Sequence, residues 1–130
     1  MCKVVIDTNI IISAAISDRG NPAKIMNFVS DGRIIMYYSP EILNEYAEIL
    51  SRDKFKFSVD KQKAVIEKII EIGFLIEPAA SNIQLPDESD RKFYDTAAEA
   101  KACLITGNTR HFPKEAHIVT PAQFIEIHDL

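Results

Sequence analysis

Short apolar runs alternate with longer amphipathic stretches along this chain, and the alternation predicts its elements. Val4-Val5-Ile6 is an unbroken apolar run, the pattern of a strand covered on both faces, and it stops at three polar residues, Asp7, Thr8 and Asn9. Ile10 to Ile16 predicts a short, largely buried helix. Asn21-Pro22 predicts a second, with Asn21 as N-cap and Pro22 at the first helical position. Ile25, Met26, Phe28 and Val29 give it an apolar side, and Asp31-Gly32 ends it. Ile34 to Tyr38 reads as a second strand. Ser39-Pro40 repeats the cap-and-proline device and opens a helix from Glu41 to Leu50. At about 100° per residue, Ile42, Leu43, Tyr46, Ala47, Ile49 and Leu50 share one face, and Glu45 borders it.

Ser51 to Phe57 is a charged segment with a mobile character. Ser58 caps a longer helix with a stripe of Val59, Ala64, Val65, Ile66, Ile69 and Ile70, stopped by Gly73. Phe74 to Ile76 is a third strand. Asp87-Glu88-Ser89-Asp90 opens a helix in which Asp90, Phe93, Tyr94 and Ala97 form the inward stripe. Cys103 to Thr106 is a fourth strand, Ile118-Val119 a short fifth, and Thr120-Pro121 opens the last helix. Strands alternating with helices predict a parallel sheet with helices on both faces. Right-handed crossovers bring every strand's carboxyl end to one edge. That edge receives Asp7, Asn9, Ser39, Thr106 and Asn108, and the helix start at Asp87 to Asp90 reaches toward it.

The bulk composition narrows what such an edge can do. At 130 residues, 47% apolar and 26% charged, residues 1–130 form a single globular domain. A net charge of −4 argues against nucleic-acid binding through a blanket of positive charge, but not against binding through recruited cations. Two cysteines, Cys2 and Cys103, make no disulfide framework, so a reduced, cytoplasmic setting is expected. No apolar run is long enough to span a bilayer, and no targeting segment precedes the first strand.

The edge therefore carries acids. Asp7, Glu45 and Asp90 come from distant segments, and Asp95 is a fourth candidate. Clustered carboxylates raise one another's pKa unless a cation is present. Their hard oxygens suit Mg²⁺ or Mn²⁺, which can support phosphodiester cleavage. Each acid also has a plainer reading: Asp7 as a helix cap, Glu45 as a solvated helix acid, Asp90 as a partner of the helix dipole. Asp95, about 140° from Asp90 on the helical wheel, reads equally as a surface acid. His111 and His117 lack partners at metal-ligand spacing. No P-loop, GxGxxG, GxSxG or HExxH motif occurs. The Arg52-to-Lys56 segment, Arg91, Lys92 and Arg110 are candidates for steering a polyanion, against the reading of an ordinary solvated surface.

Five segments in order carry a family resemblance. They are Val5 to Asn9, Gly20 to Ala23, Tyr38 to Glu45, Asp90 to Ala97, and Leu104 to Pro113. Together they make the chain resemble a PIN-domain ribonuclease, specifically the toxin component of prokaryotic toxin–antitoxin systems. The resemblance implies a three-layer α/β/α PIN-like fold with a mostly parallel central sheet, and Mg²⁺- or Mn²⁺-dependent endoribonuclease activity. It implies that Asp7, Glu45 and Asp90 bind the metal, with Asn9 and Thr106 in support, and that an RNA substrate, a cognate antitoxin protein and a homodimer are the partners. One position departs: many members carry aspartate where this chain has Asn108, and Asp95 is the candidate for the missing charge. A catalytically weak binding module and a related nuclease acting on DNA are the competing expectations.

Overall fold

The computed structural model describes residues 2–130. Its core is a five-stranded, wholly parallel sheet in the order β3-β2-β1-β4-β5, formed by β1 (Cys2–Ile6), β2 (Ile34–Tyr38), β3 (Phe74–Leu75), β4 (Cys103–Ile105) and β5 (Ile118–Val119). Six helices complete a three-layer α/β/α arrangement: α1 (Thr8–Ile16), α2 (Asn21–Ser30), α3 (Pro40–Leu50), α4 (Val59–Ile72), α5 (Arg91–Ala100) and α6 (Pro121–Ile127). The chain winds outward from β1 through β2 to β3, then returns to lay β4 on the other side of β1. The strand order reverses between β1 and β4, and open α/β sheets bind ligands at such a switch point.

The apolar run of β1 serves its central place: Val4, Val5 and Ile6 are fully buried. Helix α5 packs on β1, β2 and β4, and inserts Phe93 and Ala97 into the core as the stripe predicts. The cap-and-proline devices at α3 and α6 form as expected. The Ser39 hydroxyl accepts from the Ile42 N–H at 3.1 Å, and Thr120 and Gln123 build a reciprocal capping box.

The structure corrects three readings. Asn21 is not the cap of α2 but its first residue; Gly20 caps it at φ +93°, which a side chain resists, with no side-chain hydrogen bond. The segment after α3 is structured, holding a 3₁₀ turn at Asp53–Phe55 with the Phe55 and Phe57 rings stacked. The stripe of α4 is mostly unburied: Ile69 alone is buried, while Val59, Ala64 and Ile70 are exposed. That helix packs chiefly on α3 rather than on the sheet.

Candidate active site at the β1–β4 edge

Asp7 follows directly on β1 and is the N-cap of α1. The capping and site readings are therefore not alternatives, because both carboxylate oxygens already have donors at fixed positions. Oδ1 accepts from the Thr8 N–H at 2.8 Å and Oδ2 from the Thr106 hydroxyl at 2.7 Å. Thr106, fully buried just after β4, is itself oriented by the Asn108 N–H, 3.0 Å from its Oγ1. Burial pushes the Asp7 carboxyl above its ordinary value; the hydrogen bonds from Thr106 and Thr8 oppose this, and the nearby Glu45 charge adds to it.

Asp90 approaches the same place from the start of α5. The helix predicted from Asp87 is split. A 3₁₀ turn at Glu88–Asp90, with the Asp87 carboxylate accepting the Ser89 N–H at 2.9 Å, precedes α5. Asp90 thus sits at the joint rather than within the helical stripe. Its Oδ2 is buried with no hydrogen-bond partner, although His111 Nδ1 lies 3.4 Å away. Its carboxyl is raised first by burial and then by the charges of Asp7, Asp87 and Glu45. Glu45, half-buried on α3, closes the group. Its Oε2 accepts from the Thr8 hydroxyl, and its Oε1 meets the Lys92 ammonium at 2.9 Å.

The other predicted residues fall in different surroundings. Asn9 is exposed in the first turn of α1, and Asn108 is exposed beside Thr106. The Ser39 hydroxyl is occupied as a helix cap. Asp95 is buried rather than on the surface. Its Oδ2 accepts from the Ser81 N–H at 3.1 Å, and with Ser39, Arg91 and Lys92 it lines a cleft of about 490 Å³. The wheel misplaced Asp95 because α5 is covered on two sides, by the sheet and by the 79–86 segment.

Among the described residues, no three His, Cys, Asp or Glu side chains already converge as a metal-ligand group. The donors nevertheless fit a hard divalent cation. They are carboxylate oxygens, two of the carboxyls are held above their ordinary pKa by burial and neighbouring charge, and Asp90 presents a buried oxygen without a hydrogen bond.

Residues 3–110 match the PIN domain family. The chain belongs to that family, one of nucleases. An uncharacterized protein of Methanocaldococcus jannaschii is 34% identical over 109 residues, covering 82% of this chain and 70% of the relative. The fold is similar to a chain in the structure of VapBC2 from Rickettsia felis bound to a DNA fragment from their promoter. The TM-score is 0.64 at 14% identity, over 91% of this chain and 96% of the other.

In this PIN domain, four residues gain roles that sequence reasoning missed. Thr8 binds two of the acids, through its N–H and its hydroxyl. Lys92 and Arg91 were grouped as candidate polyanion-steering residues, yet both are engaged internally. Arg91 clamps the 79–86 segment through the carbonyls of Ser81 and Ile83 and pairs with Glu88 at 2.7 Å, while Lys92 pairs with Glu45. His111 approaches Asp90 from the 3₁₀ turn Thr109–His111. The signal available for Thr8 was its place between Asp7 and Asn9. For Lys92 and His111 the acidic partner lies on another element, Glu45 on α3 and Asp90 before α5.

Proposed function

We propose that this PIN domain is a Mg²⁺- or Mn²⁺-dependent endoribonuclease acting as the toxin of a toxin–antitoxin pair in the cytoplasm. What carries the reading is that Asp7, Glu45 and Asp90 lie near enough at the switch point for their charges to act on one another, with one Asp90 oxygen buried and without a hydrogen bond. Asp7 and Asp90 are the residues that would hold the ion, with Glu45 beside them. Bound there, it supplies charge neutralisation and Lewis acidity toward water and a phosphoryl oxygen.

The chain's own groups do the positioning. Thr106 and the Thr8 N–H fix both oxygens of Asp7, so its orientation costs little to maintain during turnover. The Thr8 hydroxyl and Lys92 fix Glu45. Asn9 and Asn108, exposed at the rim, are placed to meet substrate, and Asn108 offers a neutral oxygen where an acid would bring charge. An antitoxin partner and a homodimer are part of this proposal; the likeness to a chain of VapBC2 supports the first. The decisive experiment compares wild type with Asp7→Asn on RNA and on single-stranded DNA, with Mg²⁺, with Mn²⁺ and with chelator. Metal-dependent RNA cleavage that falls by about 10³-fold in the variant, equivalent to about 4 kcal/mol of activation free energy, is expected. Equal cleavage by both proteins removes the assignment, and preference for DNA replaces the substrate.

A further inference from the structure

Lys92 stands out among the basic residues because it is inside the acidic site rather than around it. Its side chain is only 13% exposed, its ammonium lies 2.9 Å from Glu45 Oε1, and it also donates to the Ser89 carbonyl. The stem runs past the Phe93 ring, 5.3 Å from the ammonium to the ring centroid. The second residue of α5 is therefore pinned between the 3₁₀ turn and α3. Glu45 in turn has both oxygens engaged, one by the Thr8 hydroxyl and one by Lys92. Of the three acids, Glu45 alone already has a full cationic partner from within the chain; Asp7 has neutral donors, and Asp90 has a buried oxygen without a hydrogen bond.

We propose that Lys92 is a resident counter-ion of the active site, a positioning residue that holds Glu45 in the metal-free protein and competes with the divalent ion for it. This rests on the metal-dependent reading above. Three carboxylates gathered in a half-buried cleft repel one another, and one internal ammonium relieves part of that cost. The same ammonium opposes a dication drawn to the same acids. Lys92 thus trades metal affinity for the stability of the empty site, and the ion must draw Glu45 from it or be held chiefly by Asp7 and Asp90.

The test titrates Mn²⁺ calorimetrically into wild type, Lys92→Met and Lys92→Arg, and measures thermal unfolding of each with chelator and with saturating Mn²⁺. In Lys92→Met, Mn²⁺ affinity is expected to rise about tenfold. Its Tm in chelator should fall by about 3–5 °C, and most of that deficit should close in saturating Mn²⁺. Lys92→Arg, which keeps the charge, should restore wild-type values. Unchanged or weaker Mn²⁺ binding in Lys92→Met overturns the proposal while leaving the nuclease reading intact. Equal deficits with and without Mn²⁺ also overturn it, since they make Lys92 a packing residue. Absence of Mn²⁺ binding in all three proteins overturns both readings together.

Discussion

Between β1 and β4 the protein buries polar groups, and at the β3 margin it exposes apolar ones. Asp7 and Thr106, at the ends of β1 and β4, are buried. Phe74 and Leu75 are more than half exposed in a strand of only two residues, and α4 beside them buries Ile69 alone. The first arrangement costs folding free energy, because buried charges and an unpartnered carboxylate oxygen lose solvation. The second forgoes stabilisation that a fuller edge would supply. The contrast locates the stability of the domain. It comes from β1, β2, β4 and the helices on them, which surround the acids with Val5, Ile6, Phe93, Leu104 and Ile105, all nearly or wholly inaccessible. A costly site is tolerated because it is built into the best-packed part of the fold.

The largest effect should therefore come from the packing that supports the site. Phe93→Ala, in the first turns of α5, is expected to cost about 3–5 kcal/mol, while Phe74→Ala at the margin should cost under about 1 kcal/mol. Urea unfolding of the two variants measures the difference directly. Comparable losses would erase the contrast between centre and margin.

How much of this was legible in the sequence follows from the same contrast. The central elements were readable because local pattern and tertiary demand agree there. Val4-Val5-Ile6 is apolar on both faces because it is the middle strand, and Asp7 breaks the run where the strand ends. Ser39-Pro40 and Thr120-Pro121 are caps whose partners lie within three residues. The failures arise where a side chain's partner is distant in sequence. Lys92 and Glu45 are separated by the whole of α4 and β3, and Arg91 is drawn to backbone carbonyls that no periodicity announces. The α4 stripe differs for the converse reason: it is amphipathic, but the helix packs chiefly on α3, which leaves Val59 and Ile70 exposed.

A smaller effect, opposite in sign, should come from the site itself. Burial and the charges of Asp7, Asp87 and Glu45 raise the Asp90 carboxyl above its ordinary value. A raised carboxyl contributes stability that is fully present below the unfolded pKa and lost as pH rises through the folded one. At neutral pH the ionised Asp90 is thus a net cost to the metal-free fold. Asp90→Asn should raise stability in chelator by about 1 kcal/mol, or about 3 °C in Tm, while abolishing cleavage. The advantage should shrink as the pH is lowered and the wild-type carboxyl takes up its proton. Saturating Mn²⁺ should reverse the ranking, because the ion stabilises the wild type alone. A variant less stable than wild type in chelator at every pH would mean that Asp90 is held by contacts worth more than its desolvation.

The smallest effect belongs to the margin. Ile70 is half exposed on α4, and lysine has a helix propensity at least equal to that of isoleucine. Ile70→Lys removes little buried area and disrupts no hydrogen bond, so its stability should lie within about 0.5 kcal/mol of wild type. Thermal unfolding across a range of protein concentrations gives this result further meaning. For an isolated exposed side chain, the small difference should not vary with concentration. A deficit of several degrees that grows as the protein is concentrated would show that the α4 face is covered when copies associate.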